Sequence, residues 1–456
     1  MGVQSYDIII VGGGTAGSFA AATAARDGYS VVVLERKTKK EAGNIACGDA
    51  VKGKSTFPDV IDLERLAKES FTNRNIDRAV FENPGSGQKI NIPFGSTKGT
   101  ILDRYAYGQV LLDEVKLSGA DIHYDTVIQD VTQNGQVTGV TGIRKGKSVS
   151  YQAPITIDTG GSMSLLQDKV DFSGTTFDTN VSYRQFCSAY REVIELPKPV
   201  DWHDAIIFKP TDELGYLWYF PRTPTTINVG VGFQMNKPPM ELVKVVQDDI
   251  RAHPDFKGCV VVDKLGAALP TRRPFDSAVA PGFIAAGDSA GHVNPTTGGG
   301  IGAAATSGHF AAQTAINAIE SDDVSESSLW DYNVKVMESF GKRYAAMDLY
   351  NIWGGAHDVS ELTDVISCIP GQQLVDIMSK HGSTTMGIWV KLKTLAKAYR
   401  HWGLLLELYR INREAGRLKL HYDLYPASPN DFDSWQAKRD LIMDSVYSIC
   451  NAEPKY

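Results

Sequence analysis

Runs of apolar residues, broken by glycine and small-residue stretches, give the chain its outline. Residues 8–11 (Ile-Ile-Ile-Val) and 31–34 (Val-Val-Val-Leu) are uninterrupted and mostly β-branched. Such runs suit strands buried on both faces of a parallel sheet. The stretch between them is rich in Ala, Gly and Thr, as a closely packed crossover helix requires. Residues 155–158 form another apolar strand ending in Asp158, and residues 283–286 a fourth, followed at once by Gly287-Asp288. Residues 181–235 differ: apolar and polar positions alternate, as in antiparallel strands covered on one face. Within them, strands are predicted over 216–221 and 226–233 about a turn at 222–225. Helices are predicted over 102–117 and 239–252, and strands over 122–124, 127–132 and 137–143. Residues 61–99 read as a polar helix and strands with a turn at Pro84-Gly85-Ser86-Gly87. From 325 to 456, Leu, Tyr, Trp and Met recur at i, i+3 and i+4, which predicts a mostly helical region.

The first two strands enclose the most specific signal. Asp7 and residues 8–11 run into Gly12-Gly13-Gly14-Thr15-Ala16-Gly17, and the second strand ends at Glu35. A G-x-G-x-x-G motif means little alone, but strand, turn, helix, strand and terminal acid together mark a dinucleotide site. Gly12 permits the tight turn, Gly14 lets the backbone approach a pyrophosphate, and Gly17 lets helix and strand pack closely. The first helical N–H groups face the phosphates with the positive end of the helix dipole. Glu35 is placed to accept hydrogen bonds from a ribose hydroxyl.

The reading is therefore an α/β (α+β) fold with a discontinuous Rossmann-type nucleotide domain, 1–60, 100–180 and 265–320. An antiparallel substrate sheet is expected from 61–99 and 181–264, and a helical region over 321–456. The 456 residues are 43% hydrophobic and 22% charged, as in a globular protein of two or three regions. Forty-six basic against 53 acidic residues give a net charge of −7, which favours no nucleic-acid partner. The chain opens directly on its first strand and has no apolar run approaching the roughly 18 residues of a membrane span. A cytoplasmic location is expected, with peripheral membrane contact left open. Five cysteines without a C-x-x-C pattern are neither a disulfide framework nor a zinc site, although one pair is not excluded. Asp201, His203 and Asp204 lack a second histidine at ligand spacing, so no metal is expected.

A nicotinamide enzyme needs only the first βαβ unit. This chain adds Asp158-Thr159-Gly160 and Ala286-Gly287-Asp288 at strand ends, the latter followed by Pro295 and by Gly298-Gly299-Gly300-Ile301-Gly302 opening a helix. Asp288 suits ribityl hydroxyls, and the helix start at Gly300 suits the flavin edge where negative charge collects on reduction. Together these make FAD the expected cofactor.

The order of these motifs, with Arg104 between them, resembles the para-hydroxybenzoate hydroxylase superfamily of flavoproteins over roughly residues 1–320. Two features narrow the resemblance. Cys47-Gly48-Asp49-Ala50 lies where the chain passes the flavin. Tyr216-x-Trp218-x-Phe220-Pro221, followed by Gly230-x-Gly232, resembles the aromatic signature of geranylgeranyl reductases, above all the archaeal ones that saturate ether-lipid chains. The resemblance implies that Ala16, Glu35 and Arg36 meet the ADP half of FAD, with Gly12, Gly14, Thr15 and Gly17 as the phosphate turn. It places Cys47, Gly48, Asp49 and Ala50 along the flavin or ribityl chain, Asp49 having a structural alternative in turning the loop. Arg104 would meet the pyrophosphate, Val127 would hold the adenine through its backbone, and Asp288, Gly298, Gly300 and Ile301 would hold the ribityl chain and ring edge.

Tyr216, Trp218 and Phe220 share one face of their strand. Such a stripe is usually a packed core face. Here Gly230 and Gly232 also share a face and would leave space, so an aromatic wall opposite a glycine floor is expected to form a slot for a long apolar ligand. The substrate expected is a geranylgeranyl lipid or geranylgeranyl diphosphate, with NADPH or reduced ferredoxin as electron donor. Saturating an isolated alkene needs a hydride on one carbon and a proton on the other, with aromatic faces stabilising charge at the tertiary carbon. Cys47 is the candidate proton donor, against the alternative of a small buried hydrophobe. His292 and His309 read as structural histidines. Two rivals stand beside the reductase: an FAD-dependent monooxygenase or halogenase of the same fold, and a non-enzymatic isoprenoid carrier. Halogenases carry W-x-W-x-I-P, from which Tyr216 and Phe220 both depart.

Overall fold

The computed structural model describes residues 2–456 apart from 83–86, 88, 97, 163, 212–213, 236–237 and 368–400. The apolar runs pair as their burial demands. A six-stranded sheet has the order Val279–Ala280, Phe283–Ala285, Ile155–Asp158, Ile8–Val11, Val31–Leu34, Asp121–His123. Its inner strands are parallel, with Ile8 opposite Val31 on one side and Ile155 on the other. Ile8, Ile9 and Ile10 are fully buried, as strands covered on both faces must be. Helices Thr15–Arg26 and Ile301–Glu320 cover one face, and their small residues let the backbones touch: a Cβ at Gly308 would stand 2.1 Å from the Ala16 carbonyl oxygen.

A four-stranded sheet hangs beside this layer, with Thr126–Gln133 at its edge. The third sheet has seven strands in the order Val260–Pro270, Phe186–Glu195, Thr226–Gln234, Gly215–Pro221, Ala205–Pro210, Arg78–Glu82, Lys89–Pro93. Its pairings are antiparallel except that of Ala205–Pro210 with Arg78–Glu82. Helix Pro239–Ala252 packs on one face over Val229, Val231 and Tyr219; the aromatic stripe lies on the other. The C-terminal helices Lys342–Gly355, Trp402–Tyr422 and Phe432–Cys450 join the core of the nucleotide layer.

The fold class is the α/β (α+β) arrangement expected from the pattern. Two domain limits are corrected. The boundary at 265 falls inside the strand Val260–Pro270, which pairs with Phe186–Glu195 down to Pro270 opposite Phe186. This strand escapes the alternation rule because it is a sheet edge: Val260, Val261 and Val262 are all exposed. Residues 61–99 do not belong to one layer either. Helix Leu63–Ser70 packs on Arg104–Leu117, and Phe71–Ile76 joins Ala50–Val51 and Gly99–Leu102 in a small sheet beside the nucleotide layer. The strand expected over 122–124 is Asp121–His123. The Pro84 to Ser86 part of the expected turn, Cys368 and Trp389 lie outside the described residues. The four described cysteines, Cys47, Cys187, Cys259 and Cys450, are free thiols.

Candidate active site

The glycine turn connects the strand Ile8–Val11 to the first helix. Gly12 adopts φ +107°, and a Cβ there would meet the Thr159 carbonyl oxygen at 2.4 Å. At Gly17 a Cβ would stand 2.0 Å from the Gly12 carbonyl oxygen. Gly14 is the opposite case: a Cβ would face open space, on the side where the first helix presents its N–H groups. That helix has no side-chain cap and no acid in its first turn, so its positive end is left for a ligand. Glu35 is 8% exposed and turns its carboxylate to the same turn, Oε2 accepting the Gly13 N–H at 2.9 Å. The neighbouring Thr126 N–H donates to the Glu35 carbonyl at 3.0 Å, which brings exposed Val127 to the Glu35 end of the site. Arg36 is exposed beside them.

Arg104 enters from the first residue of helix Arg104–Leu117, whose N-terminus Asp103 caps by accepting the Ala106 N–H at 2.9 Å. Arg104 as a whole is 4% exposed. Nη2 donates to Thr15 Oγ1 at 3.2 Å, the Tyr107 ring lies 4.7 Å away, and Nη1 has no partner among the described residues. A buried cation with a free donor, beside an uncapped helix N-terminus, is built to receive an anion.

The third piece follows strand Phe283–Ala285. Among the described residues the Asp288 carboxylate receives one hydrogen bond, from Ser162 Oγ at 3.3 Å, and burial pushes its pKa up against that bond and the Arg104 charge. The other oxygen faces Gly300, 3.4 Å from where a Cβ would be. Gly300 leads helix Ile301–Glu320, which likewise has neither a side-chain cap nor an acid in its first turn. Two uncapped helix ends, Arg104 and Asp288 therefore fit a flavin dinucleotide. Asp158 does not join them. Its carboxylate is fully buried and engaged by Gly160 N–H, Ser164 and Gln167, each at 2.9 Å, so it holds its own loop. His292 is buried, accepts the Gly287 N–H through Nδ1, and has its pKa lowered to about 3 by burial. His309 bonds Thr23 Oγ1 at 2.9 Å. Among the described residues no cluster of three or more His, Cys, Asp or Glu side chains is placed to hold a metal.

The aromatic strand does meet this site, but not as a wall across a slot. Trp218 is paired in register with Gly230 and Tyr216 with Gly232, so rings and glycines lie side by side on the same sheet face. A Cβ at Gly230 would stand 2.2 Å from Trp218 Cζ2: the indole fills the space that the glycine leaves. Trp218 and Phe220 are 7% and 6% exposed and pack with Phe208, Ile76 and Ile101. Their outer surface meets the cysteine loop, since a Cβ at Gly48 would stand 2.9 Å from Phe220 Cε2. The Tyr216 hydroxyl donates to the Thr297 carbonyl at 2.6 Å, tying the loop before Gly298 to the sheet. Pro221 closes the strand, its carbonyl accepting from Asn73 at 3.0 Å.

Cys47 is partly exposed. Its sulfur accepts the Asp49 N–H at 3.2 Å, and burial, then the Asp49 charge, raise the thiol's pKa. Ala50 is exposed at the end of the loop. The Asp49 carboxylate, expected along the cofactor, is turned into the protein: Oδ2 takes Arg222 Nε and Nη2 at 2.9 and 2.7 Å and Asn228 Nδ2 at 2.7 Å. Arg222 and Asn228 escape a motif search because they act on a loop far away in sequence. A signal existed for Asn228, a polar residue between Ile227 and Val229 that is fully buried.

These features define a flavin-dependent oxidoreductase, with FAD as its cofactor. The FAD dependent oxidoreductase family profile matches residues 7–168. Within that class the chain is similar to the digeranylgeranylglycerophospholipid reductases. It is 28% identical to the one from Sulfolobus acidocaldarius over 96% of this chain and 97% of that protein. It is 26% identical to the one from Thermoplasma acidophilum, over 87% and 97%. In fold, it matches a geranylgeranyl bacteriochlorophyll reductase-like protein from Thermoplasma acidophilum with a TM-score of 0.71 at 24% identity, covering 90% of this chain and all 100% of that one. A flavin-dependent brominase mutant shares the fold at a TM-score of 0.61 and 15% identity, over 87% and 99%.

Proposed function

We propose that this protein saturates the isolated double bonds of geranylgeranyl chains in archaeal ether-lipid precursors, drawing electrons from NADPH or reduced ferredoxin. The observation that carries the reading is the junction of apolar sheet and cofactor site. Phe220 packs on Gly48 of the cysteine loop, and Tyr216 holds the loop before Gly298. An alkene admitted there is bordered by aromatic side chains and by a thiol. Bound and reduced, FAD supplies the hydride. The chain's own residues do the rest. Arg104 and the uncapped start of helix Thr15–Arg26 would hold the phosphates, while Asp288 and the helix start at Gly300 would hold the ribityl chain and ring edge. Cys47 keeps its proton at neutral pH because its pKa is raised, so a proton is at hand for the second carbon. The Arg104 and Arg191 charges, which pull the thiol's pKa down, favour the thiolate left behind. Trp218 and Phe220 stabilise positive charge at a tertiary carbon. No described helix is long and apolar enough to cross a membrane. The reading has the lipid reach the site by peripheral contact.

The test is an anaerobic single turnover. Protein reduced with dithionite, freed of excess reductant and mixed with a geranylgeranyl lipid is expected to regain oxidised-flavin absorbance as alkene is consumed. A fully saturated lipid is expected to leave it reduced. Reoxidation only on admitting oxygen, with a hydroxylated product, would overturn the reading in favour of a monooxygenase.

A further inference from the structure

The loop carrying Cys47 is held by groups that no part of the flavin chemistry requires. Asp49 adopts φ +71°, a left-handed conformation uncommon outside glycine. In that conformation its N–H points back at the Cys47 sulfur, 3.2 Å away. Three donors gather on Oδ2 of its fully buried carboxylate, from Arg222 Nε, Arg222 Nη2 and Asn228 Nδ2. Asn228 spends its second amide hydrogen on the Cys47 carbonyl at 2.8 Å. Its oxygen accepts the Trp218 indole N–H at 2.9 Å. An indole is a donor only, so the amide orientation is fixed by chemistry. Arg222 reaches the other way, with Nη1 on Asp103 Oδ2 at 2.9 Å. The other oxygen of Asp103 caps the helix that begins with Arg104.

We propose that Asp49, Arg222 and Asn228 form a positioning clamp that fixes the orientation of the Cys47 thiol and couples it to the aromatic strand and to the Arg104 helix. The proposal rests on the reading that Cys47 faces the flavin and the alkene. A buried ion pair is a poor stabiliser, because the desolvation of both charges offsets their attraction. What such a pair does supply is fixed direction, and here every bond ends on the cysteine loop, the aromatic strand or the capped helix. The clamp also sets the thiol's surroundings. The Asp49 charge opposes ionisation of Cys47, while its N–H, Arg104 and Arg191 favour it. Asp49, Arg222 and Asn228 are positioning residues, acting on substrate through Cys47 and Trp218.

The test reads the thiol directly and needs no turnover. Intact holoprotein is labelled with iodoacetamide across a pH series, and labelling of the Cys47 peptide is followed by mass spectrometry, with the Cys259 peptide as internal reference. Asp49→Asn keeps the shape and the N–H but removes the like charge. It is expected to lower the Cys47 midpoint by roughly one pH unit, the size of a neighbouring-charge effect, with Cys259 unmoved. Asn228→Ala releases the Cys47 carbonyl and is expected to raise labelling severalfold at fixed pH. If Asp49→Asn does not fold, Asn228→Ala alone decides. Cys47 profiles unchanged in the variants that fold would overturn the clamp. Full alkene reduction by Cys47→Ala would overturn the donor reading instead, and leaves the labelling result to judge the clamp separately.

Discussion

Arg104 offers a prediction in which stability and binding move in opposite directions. The residue is 4% exposed and, among the described residues, its guanidinium makes one hydrogen bond, to a neutral hydroxyl, and leaves Nη1 without a partner. No acidic side chain forms an ion pair with it among those residues. In FAD-free protein this is a buried cation with little compensation beyond the Tyr107 ring at 4.7 Å. Arg104→Met keeps the aliphatic packing and removes the charge. The FAD-free protein is then expected to keep its stability or gain up to about 2 kcal/mol, because desolvation of an uncompensated charge is relieved. The holoprotein loses a charge-assisted contact to a phosphate worth about 1.5–3 kcal/mol, a weakening of FAD of roughly 10- to 150-fold. Urea unfolding of the FAD-free protein gives the first quantity and flavin-fluorescence titration the second. A variant destabilised by more than about 1 kcal/mol with unchanged FAD affinity would refute the reasoning, since Arg104 would then be a packing residue.

Three further outcomes follow from other parts of the molecule. Gly230→Ala places a Cβ 2.2 Å from Trp218 Cζ2 and 2.8 Å from the Arg191 Cβ, so the indole must move; urea unfolding is expected to show a loss of about 1–3 kcal/mol, and an unchanged midpoint would contradict the packing described. His292 titrates near pH 3 in the folded chain and near its ordinary 6.5 when unfolded. The unfolded state therefore binds the extra proton, and stability present above about pH 6.5 is lost as pH falls, roughly 2 kcal/mol by pH 5; a His292→Gln variant is expected to lack this component in unfolding titrations at both pH values. Tyr216→Phe removes the 2.6 Å bond to the Thr297 carbonyl; a loss of about 0.5–1.5 kcal/mol is expected, with weaker FAD binding by fluorescence titration, and unchanged FAD affinity would show that the loop before Gly298 needs no tether.

The parts of this site that were legible in sequence are those whose chemistry is local. Gly12, Gly14 and Gly17 are dictated by one turn, and the strand pattern around them specified a parallel sheet. Asp288 and Gly300 follow from strand and helix ends, where backbone groups lack partners, whereas Arg104 entered only through the family resemblance. Legibility fails where a side chain's partner is remote in sequence. Asp158 and Asp288 look alike as acids at strand ends, yet one is saturated by its own loop and the other faces an open helix end. The aromatic and glycine signatures were visible, but their pairing in register was not, so a slot was expected where an indole covers a glycine. Arg222 and Asn228 were missed for the same reason. Their role exists only because the sheet brings residues 222 and 228 against residues 47–49.

The central claim is that the aromatic sheet delivers an isolated alkene to a flavin. It is tested most directly by mass spectrometry of a geranylgeranyl lipid incubated without oxygen in solvent D2O with catalytic protein and excess dithionite. The expected product gains two deuterium atoms per double bond, one at the tertiary carbon and one at its neighbour, because the N–H of reduced flavin and the thiol both exchange with solvent, and it incorporates no oxygen. Unchanged lipid beside fully reduced, FAD-loaded protein would contradict it.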